Sequence, residues 1–134
     1  MSLNWPKPHH NSVPEFQVSA WPFVTSSTTV SNQAVKISFP YVTQWFQIKN
    51  TDGSKNLRFG FTQNGVSNGN YQILETGKTI AAQTPVLTIK CAEIWFRGDT
   101  FTDAVNFSVI AGLTNVQPGD LPTISGSNGF GGVG

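Results

Sequence analysis

Apolar side chains recur at every second position along most of this chain, and no segment shows the three-to-four-residue spacing of an amphipathic helix. Val35, Ile37 and Phe39 alternate with Lys36 and Ser38. Val42, Gln44, Phe46 and Ile48 oppose Thr43, Trp45, Gln47 and Lys49. Leu57, Phe59 and Phe61 alternate with Arg58 and Gly60, and Tyr71 with Ile73 begins a shorter run. Leu87, Ile89 and Cys91 face away from Thr88 and Lys90, and Val105, Phe107, Val109 and Ala111 close the series. Successive side chains of a strand point to opposite faces, so period two means strands with one buried face. Seven or eight short strands at spacings of about 8–12 residues predict an all-β fold, a single antiparallel β-sandwich of jelly-roll-like form. Between Cys91 and Ala92 the apolar phase slips by one residue, which predicts a β-bulge or a bend. Asp52-Gly53, inside the polar stretch Asn50–Asn56, carries a hairpin signal. The stretch Asn64–Asn70, with Gly65 and Gly69, reads as a loop.

The two ends depart from this pattern. Residues 1–27 contain Pro6, Pro8, Pro14 and Pro22 together with Trp5, Phe16, Trp21 and Phe23. Proline at that density forbids a helix and favours extended chain, so residues 1–27 are expected to form an arm whose aromatics need a surface to cover them. Residues 28–113 hold the strands. Residues 114–134, rich in Gly, Ser and Pro, read as a flexible tail with Phe130 as its only large apolar residue.

Composition excludes several function classes. Eight Lys or Arg against seven Asp or Glu leave a net charge of +1. A protein that tracks nucleic-acid phosphates carries a far more basic surface, so no nucleic acid is expected as a direct partner. No apolar run approaches ~18 residues, so no membrane insertion is expected. The opening Met1-Ser2-Leu3-Asn4-Trp5-Pro6 lacks the basic and apolar regions of a signal peptide. The single cysteine, Cys91, cannot form an intrachain disulfide, which points to assembly inside a cell. Ser, Thr, Asn and Gln supply 45 of the 134 residues.

No constellation announces catalysis, and neither a cofactor nor a metal is expected. His9 and His10 stand side by side in the arm with no cysteine or carboxylate cluster near them in sequence. Glu93, Asp99 and Asp103 are the nearest carboxylates to one another. They read as turn caps, with weak Ca²⁺ binding by Asp99 and Asp103 or a hydrolase pair of Glu93 with either aspartate as the alternatives. Cys91 is in phase with Leu87 and Ile89 and reads as a buried thiol. The sequon Asn106-Phe107-Ser108 falls in a strand and is discounted. Trp45 and Trp95 are out of phase with their apolar neighbours and are expected to face outward, under an arm or at a subunit contact, with burial in the core as an alternative. Alternatively they would form, with Tyr71, a stacking platform of a carbohydrate-binding module.

The run from Phe46 to Phe61 is a strand, a polar turn and a strand ending Phe59-Gly60-Phe61. It is followed by Tyr71–Lys78, Ala92–Gly98 and the closing strand Phe107–Leu113. In this order the chain resembles small β-sandwich virion proteins: the decoration, cement or minor capsid proteins of phages and large double-stranded DNA viruses. The likeness covers about residues 35–114. It implies a non-enzymatic structural protein of the virion, assembled in the host cell interior. As a trimer or pentamer it would bind capsid proteins and other copies of itself. Trp5, Phe16, Trp21, Phe23, Trp45, Trp95 and Phe130 are the candidate partner-binding residues.

Overall fold

The computed structural model describes residues 21–76 and 83–120. Among them the strands are β1 Trp21–Thr28, β2 Val35–Ser38, β3 Thr43–Asn50, β4 Leu57–Gly60, β5 Gln72–Leu74, β6 Glu93–Gly98 and β7 Asn106–Leu113. They form two antiparallel sheets, a first in the order β1-β7-β3 and a second in the order β2-β6-β4-β5. One short helix, α1 Gln63–Asn68, and a 3-10 turn, Pro118–Asp120, are the helical elements of the described residues. The protein is all-β.

Alternation sorts each strand into an inward and an outward set. In the first sheet the register aligns Phe23, Ala111 and Phe46 in one inward row, and Thr25, Val109 and Ile48 in the next. In the second sheet Val35, Phe96 and Phe59 align across β2, β6 and β4. These sets share one hydrophobic core, which also holds Phe39, Leu57, Cys91, Ile94, Val105, Phe107 and Leu113. Phe96 of the second sheet stacks on Phe107 of the first with ring centroids 4.2 Å apart. Phe23 meets Phe39 edge-on at 5.0 Å, and Phe46 meets Phe61 at 6.2 Å.

The one-residue slip after Cys91 is where the chain changes sheets. Thr43 of the first sheet donates its backbone N–H to the carbonyl of Cys91 at 3.0 Å, while Phe39, just past β2, donates to the carbonyl of Ala92 at 2.8 Å. The Thr43 hydroxyl holds the corner from inside, accepting from the Cys91 N–H at 3.0 Å and donating to the Ile89 carbonyl at 2.6 Å. Upstream, residues 83–91 run beside β3 without becoming a regular strand. They touch it in isolated bridges, Phe46 with Leu87 and Lys49 with Gln83. Pro85 has no N–H to offer a ladder, and the Thr84 hydroxyl instead accepts the Ile48 N–H at 3.0 Å.

Three expectations are corrected. The Asp52-Gly53 turn does not close a hairpin, because β3 and β4 lie in different sheets. Both sides of β3 are already taken, by β7 and by residues 83–91, so the loop must cross to the other sheet. Buried Asn50 anchors that crossing: its amide donates to the carbonyls of Lys55 and Leu74, and its oxygen accepts the Asp52 N–H. Asp52 in turn accepts from the Ser54 N–H, which holds its carboxyl below the usual carboxylate range.

The stretch Asn64–Asn70 is not a loop but contributes most of α1. The Thr62 hydroxyl caps the helix by accepting the Gly65 N–H at 2.9 Å, and Gly69, at φ +130°, ends it. Six residues are fewer than two turns, too few to print a helical period.

The packed unit also extends past both expected boundaries. Trp21–Thr28 is a strand on β7, with Pro22 tolerated because β1 is an edge strand. Beyond β7, Thr114 donates its N–H to the Val42 carbonyl and Val42 donates to Val116, so residues 114–120 are not a loose tail. The remainder of the expected arm and tail lies outside the described residues.

Removing the Phe107 ring leaves a cavity against Phe96, while Ile110, its outward neighbour three residues on, is exposed. Phe107→Ala is therefore expected to cost about 3–5 kcal/mol in urea unfolding, well above the cost of Ile110→Ala.

Candidate interaction surface

The outward face of the first sheet is built by the same register that builds its interior. Pro22, Gly112 and Trp45 form one outward row, Val24, Ile110 and Gln47 the next, and Ser26, Ser108 and Lys49 the third. Gly112 leaves the middle of the first row without a side chain, between half-buried Trp45 and Pro22. In the second row Val24 is 69% exposed and Ile110 41%. At the start of β1, Trp21 is 60% exposed, its indole N–H held by the Asn115 side-chain oxygen at 2.8 Å. A depression of about 180 Å³ lies on this face, bounded by Val24 and Ile110 and by Gln47, Lys49, Gln83 and Ser108. Lys49 is the one charged residue in these rows.

Among the described residues no strand pairs with the outer side of β1, which continues the same chemistry. β1 ends the strand order of its sheet, and its eight residues, Trp-Pro-Phe-Val-Thr-Ser-Ser-Thr, include no charge. Exposed edge strands usually carry lysine or other charges that discourage pairing with another chain. Here a single proline is the only such device.

The predicted contact residues separate accordingly. Trp45 lies on this face, while Trp21, in phase with Phe23 and paired with Leu113, belongs to the inward set and is exposed only because it stands at the end of the strand. Phe23 turns inward against Phe39 and belongs to the core margin. Trp95 is on the outward face of the second sheet, with Lys36 5.7 Å above its ring and its indole nitrogen buried without a hydrogen-bond partner. Trp5, Phe16 and Phe130 lie outside the described residues, as do His9 and His10. Val24 and Ile110 were not predicted. Their signal was present, since each is apolar where the alternation calls for a polar residue.

Two other arrangements do not assemble. Trp45 and Trp95 stand on the outward faces of different sheets, and Tyr71 carries the Arg58 guanidinium on its ring at 4.0 Å, so the three form no common platform. Glu93 begins β6 and Asp99 follows its end, roughly 20 Å of extended strand apart, far beyond the separation of a paired-carboxylate site. Each has a cation instead: Lys36 for Glu93 at 3.7 Å and Arg58 for Asp99 at 2.9 Å. Among the described residues no three His, Cys, Asp or Glu side chains converge as a metal site would require.

A separate apolar cavity of about 440 Å³ opens where β4 and β5 approach residues 83–89. Phe59, Phe61, Tyr71, Ile73 and Leu87 line it, with Gln72 at its rim. Compared with protein-family models, with curated proteins and with solved structures, the chain gives no significant match.

Cys91 lies in the core beside the sheet corner, its sulfur 3.4 Å from the Thr43 hydroxyl. Burial pushes the thiol up to about 12, from an ordinary value of 9.0. The folded protein keeps its proton where the unfolded chain has lost it, so this group's contribution to stability falls as pH rises from 9 toward 12. At pH 8 the native protein is expected to leave Ellman's reagent unreacted, and to release one equivalent of thiolate once unfolded in guanidinium.

Proposed function

We propose that this protein is a non-enzymatic structural protein of a virion, a minor capsid or decoration protein. Its two sheets would form a jelly-roll-like sandwich, with residues 83–91 beside β3 as an irregular eighth strand. It joins capsid subunits and further copies of itself through the outward face and outer edge of the β1-β7-β3 sheet. The observation that carries this reading is the exposed pair of Val24 and Ile110, beside Pro22 and Trp45, on a face with almost no charge. Neutral polar groups lose less on leaving water than charged ones and can pair again across a contact. Large exposed apolar residues bordered by such groups are the anatomy of an interface. An extended partner segment, or β1 of a second copy, can add to the uncharged edge through backbone hydrogen bonds.

The test is the mass of the full chain in solution by light scattering. The expected result is a defined trimer or pentamer that falls to monomer in the Val24→Glu/Ile110→Glu variant while its circular dichroism spectrum is unchanged. A wild-type monomer at all accessible concentrations, or a variant that assembles as before, overturns the proposal.

A further inference from the structure

The outward face of the second sheet has the opposite character. Arg97 on β6 stands directly across from Arg58 on β4 in the sheet register. Like charges facing each other across a ladder repel, and burial strengthens the repulsion. Arg97 is only 8% exposed. Buried guanidinium groups are ordinarily matched by a carboxylate or by a full set of hydrogen bonds. Arg97 has neither. Its Nε donates to the carbonyl of the adjacent Gly98 at 3.2 Å, and Nη1 reaches the Ser67 carbonyl at the C-terminal end of α1 only at 3.4 Å. The face of Phe101 also lies 4.8 Å from the guanidinium carbon.

No carboxylate among the described residues forms an ion pair with Arg97. Asp99 is committed to Arg58 at 2.9 Å through Nε, which leaves the Arg58 guanidinium lying over Tyr71. Burial first, and the Arg58 charge second, press the Arg97 pKa downward, against a smaller opposing pull from Asp99 and Tyr71. Two residues along the same face of β6, the buried Trp95 Nε1 is a further donor with nothing to donate to. The face thus collects donors and positive charge in excess of the acceptors it provides.

We propose that Arg97 and Arg58 form a binding site for a tetrahedral oxyanion, a phosphate or sulfate group. Its oxygens bridge the two guanidiniums, and Asp99 fixes the orientation of Arg58. Planar guanidinium forks suit such oxygens, and an anion between them removes the repulsion across the ladder. Phe101, 46% exposed, lies beside the Arg97 guanidinium and borders the site. The site is independent of the interaction surface on the first sheet.

The test is the dependence of Tm on inorganic phosphate and on sulfate, with sodium chloride at matched ionic strength as the control. Phosphate or sulfate is expected to raise Tm along a saturating curve that chloride does not reproduce, and the dependence is expected to vanish in Arg97→Gln. Phenyl phosphate separates the sources: protection equal to that of phosphate supports a monoester end, and protection by the free ion alone supports a closed ion site. Equal shifts from chloride and phosphate, or a phosphate effect that survives Arg97→Gln, overturn the proposal. Should Arg97→Gln fail to fold, the wild-type protein decides by nitrogen-resolved NMR. Phosphate must then move the Arg97 Nε–H signal in a saturable way, and shifts spread evenly over all side-chain N–H signals, or none, refute the site.

Discussion

The stack of Phe96 on Phe107 is the contact on which the rest of the structure depends. One ring belongs to β6 and the other to β7, so it is a point at which the two sheets touch directly. Among the described residues no long helix covers either sheet, and neither sheet has another apolar layer to lie against. The inward rows must therefore be filled by alternating side chains from both sheets. That requirement explains why Ala111, Val109 and Phe107 follow one another at every second place along β7, flanked on both sides by partners in the same phase.

Once both inward faces are spent on each other, the two outward faces are free to differ, and they do. The first sheet presents Pro22, Val24, Trp45 and Ile110 with a single lysine. The second gathers Lys36, Arg58 and Arg97 over Trp95, Tyr71 and Phe101, with Glu93 and Asp99 as partial counter-charge. α1 also contributes to this second face. A side chain at Gly60 would meet the Asn70 carbonyl at 2.9 Å and the Val66 side chain at 3.4 Å, so a bare strand position is what lets the helix settle on the sheet.

Which face most strand residues take was legible in the sequence, because period two is a local property, but Ile73 turns outward beside Arg58 and Leu74 packs inward in its place. Which strand lies beside which was not. The alternation of Val42–Lys49 and of Leu57–Phe61 is compatible with a hairpin, and only the occupation of both edges of β3 sends the chain across to the other sheet. The phase slip at Cys91 was visible as a bend, but its meaning as a sheet change needs Thr43, whose hydroxyl joins it from 48 positions away. Arg58 and Arg97 look like ordinary outward strand residues until the β4–β6 register sets them face to face. The Val24 and Ile110 pair likewise exists only through the β1–β7 register.

The scarcity of charge acquires a specific meaning from this division. A chain with so few ionic groups could spread them evenly for solubility, yet three of its eight basic residues gather over three aromatic rings on one sheet. Concentrating them there leaves the opposite face and the β1 edge almost without charge. A face of that kind resists association weakly, because neither desolvation of ions nor like-charge repulsion stands in the way. Pro22 is then significant for where it sits: at the second residue of the edge strand it has no N–H, while Phe23–Thr28 keep theirs, directed alternately to β7 and to the outer edge. Among the described residues the edge is trimmed at one end and otherwise unpaired, which suits a sheet that pairs in a limited register better than one protected against pairing altogether.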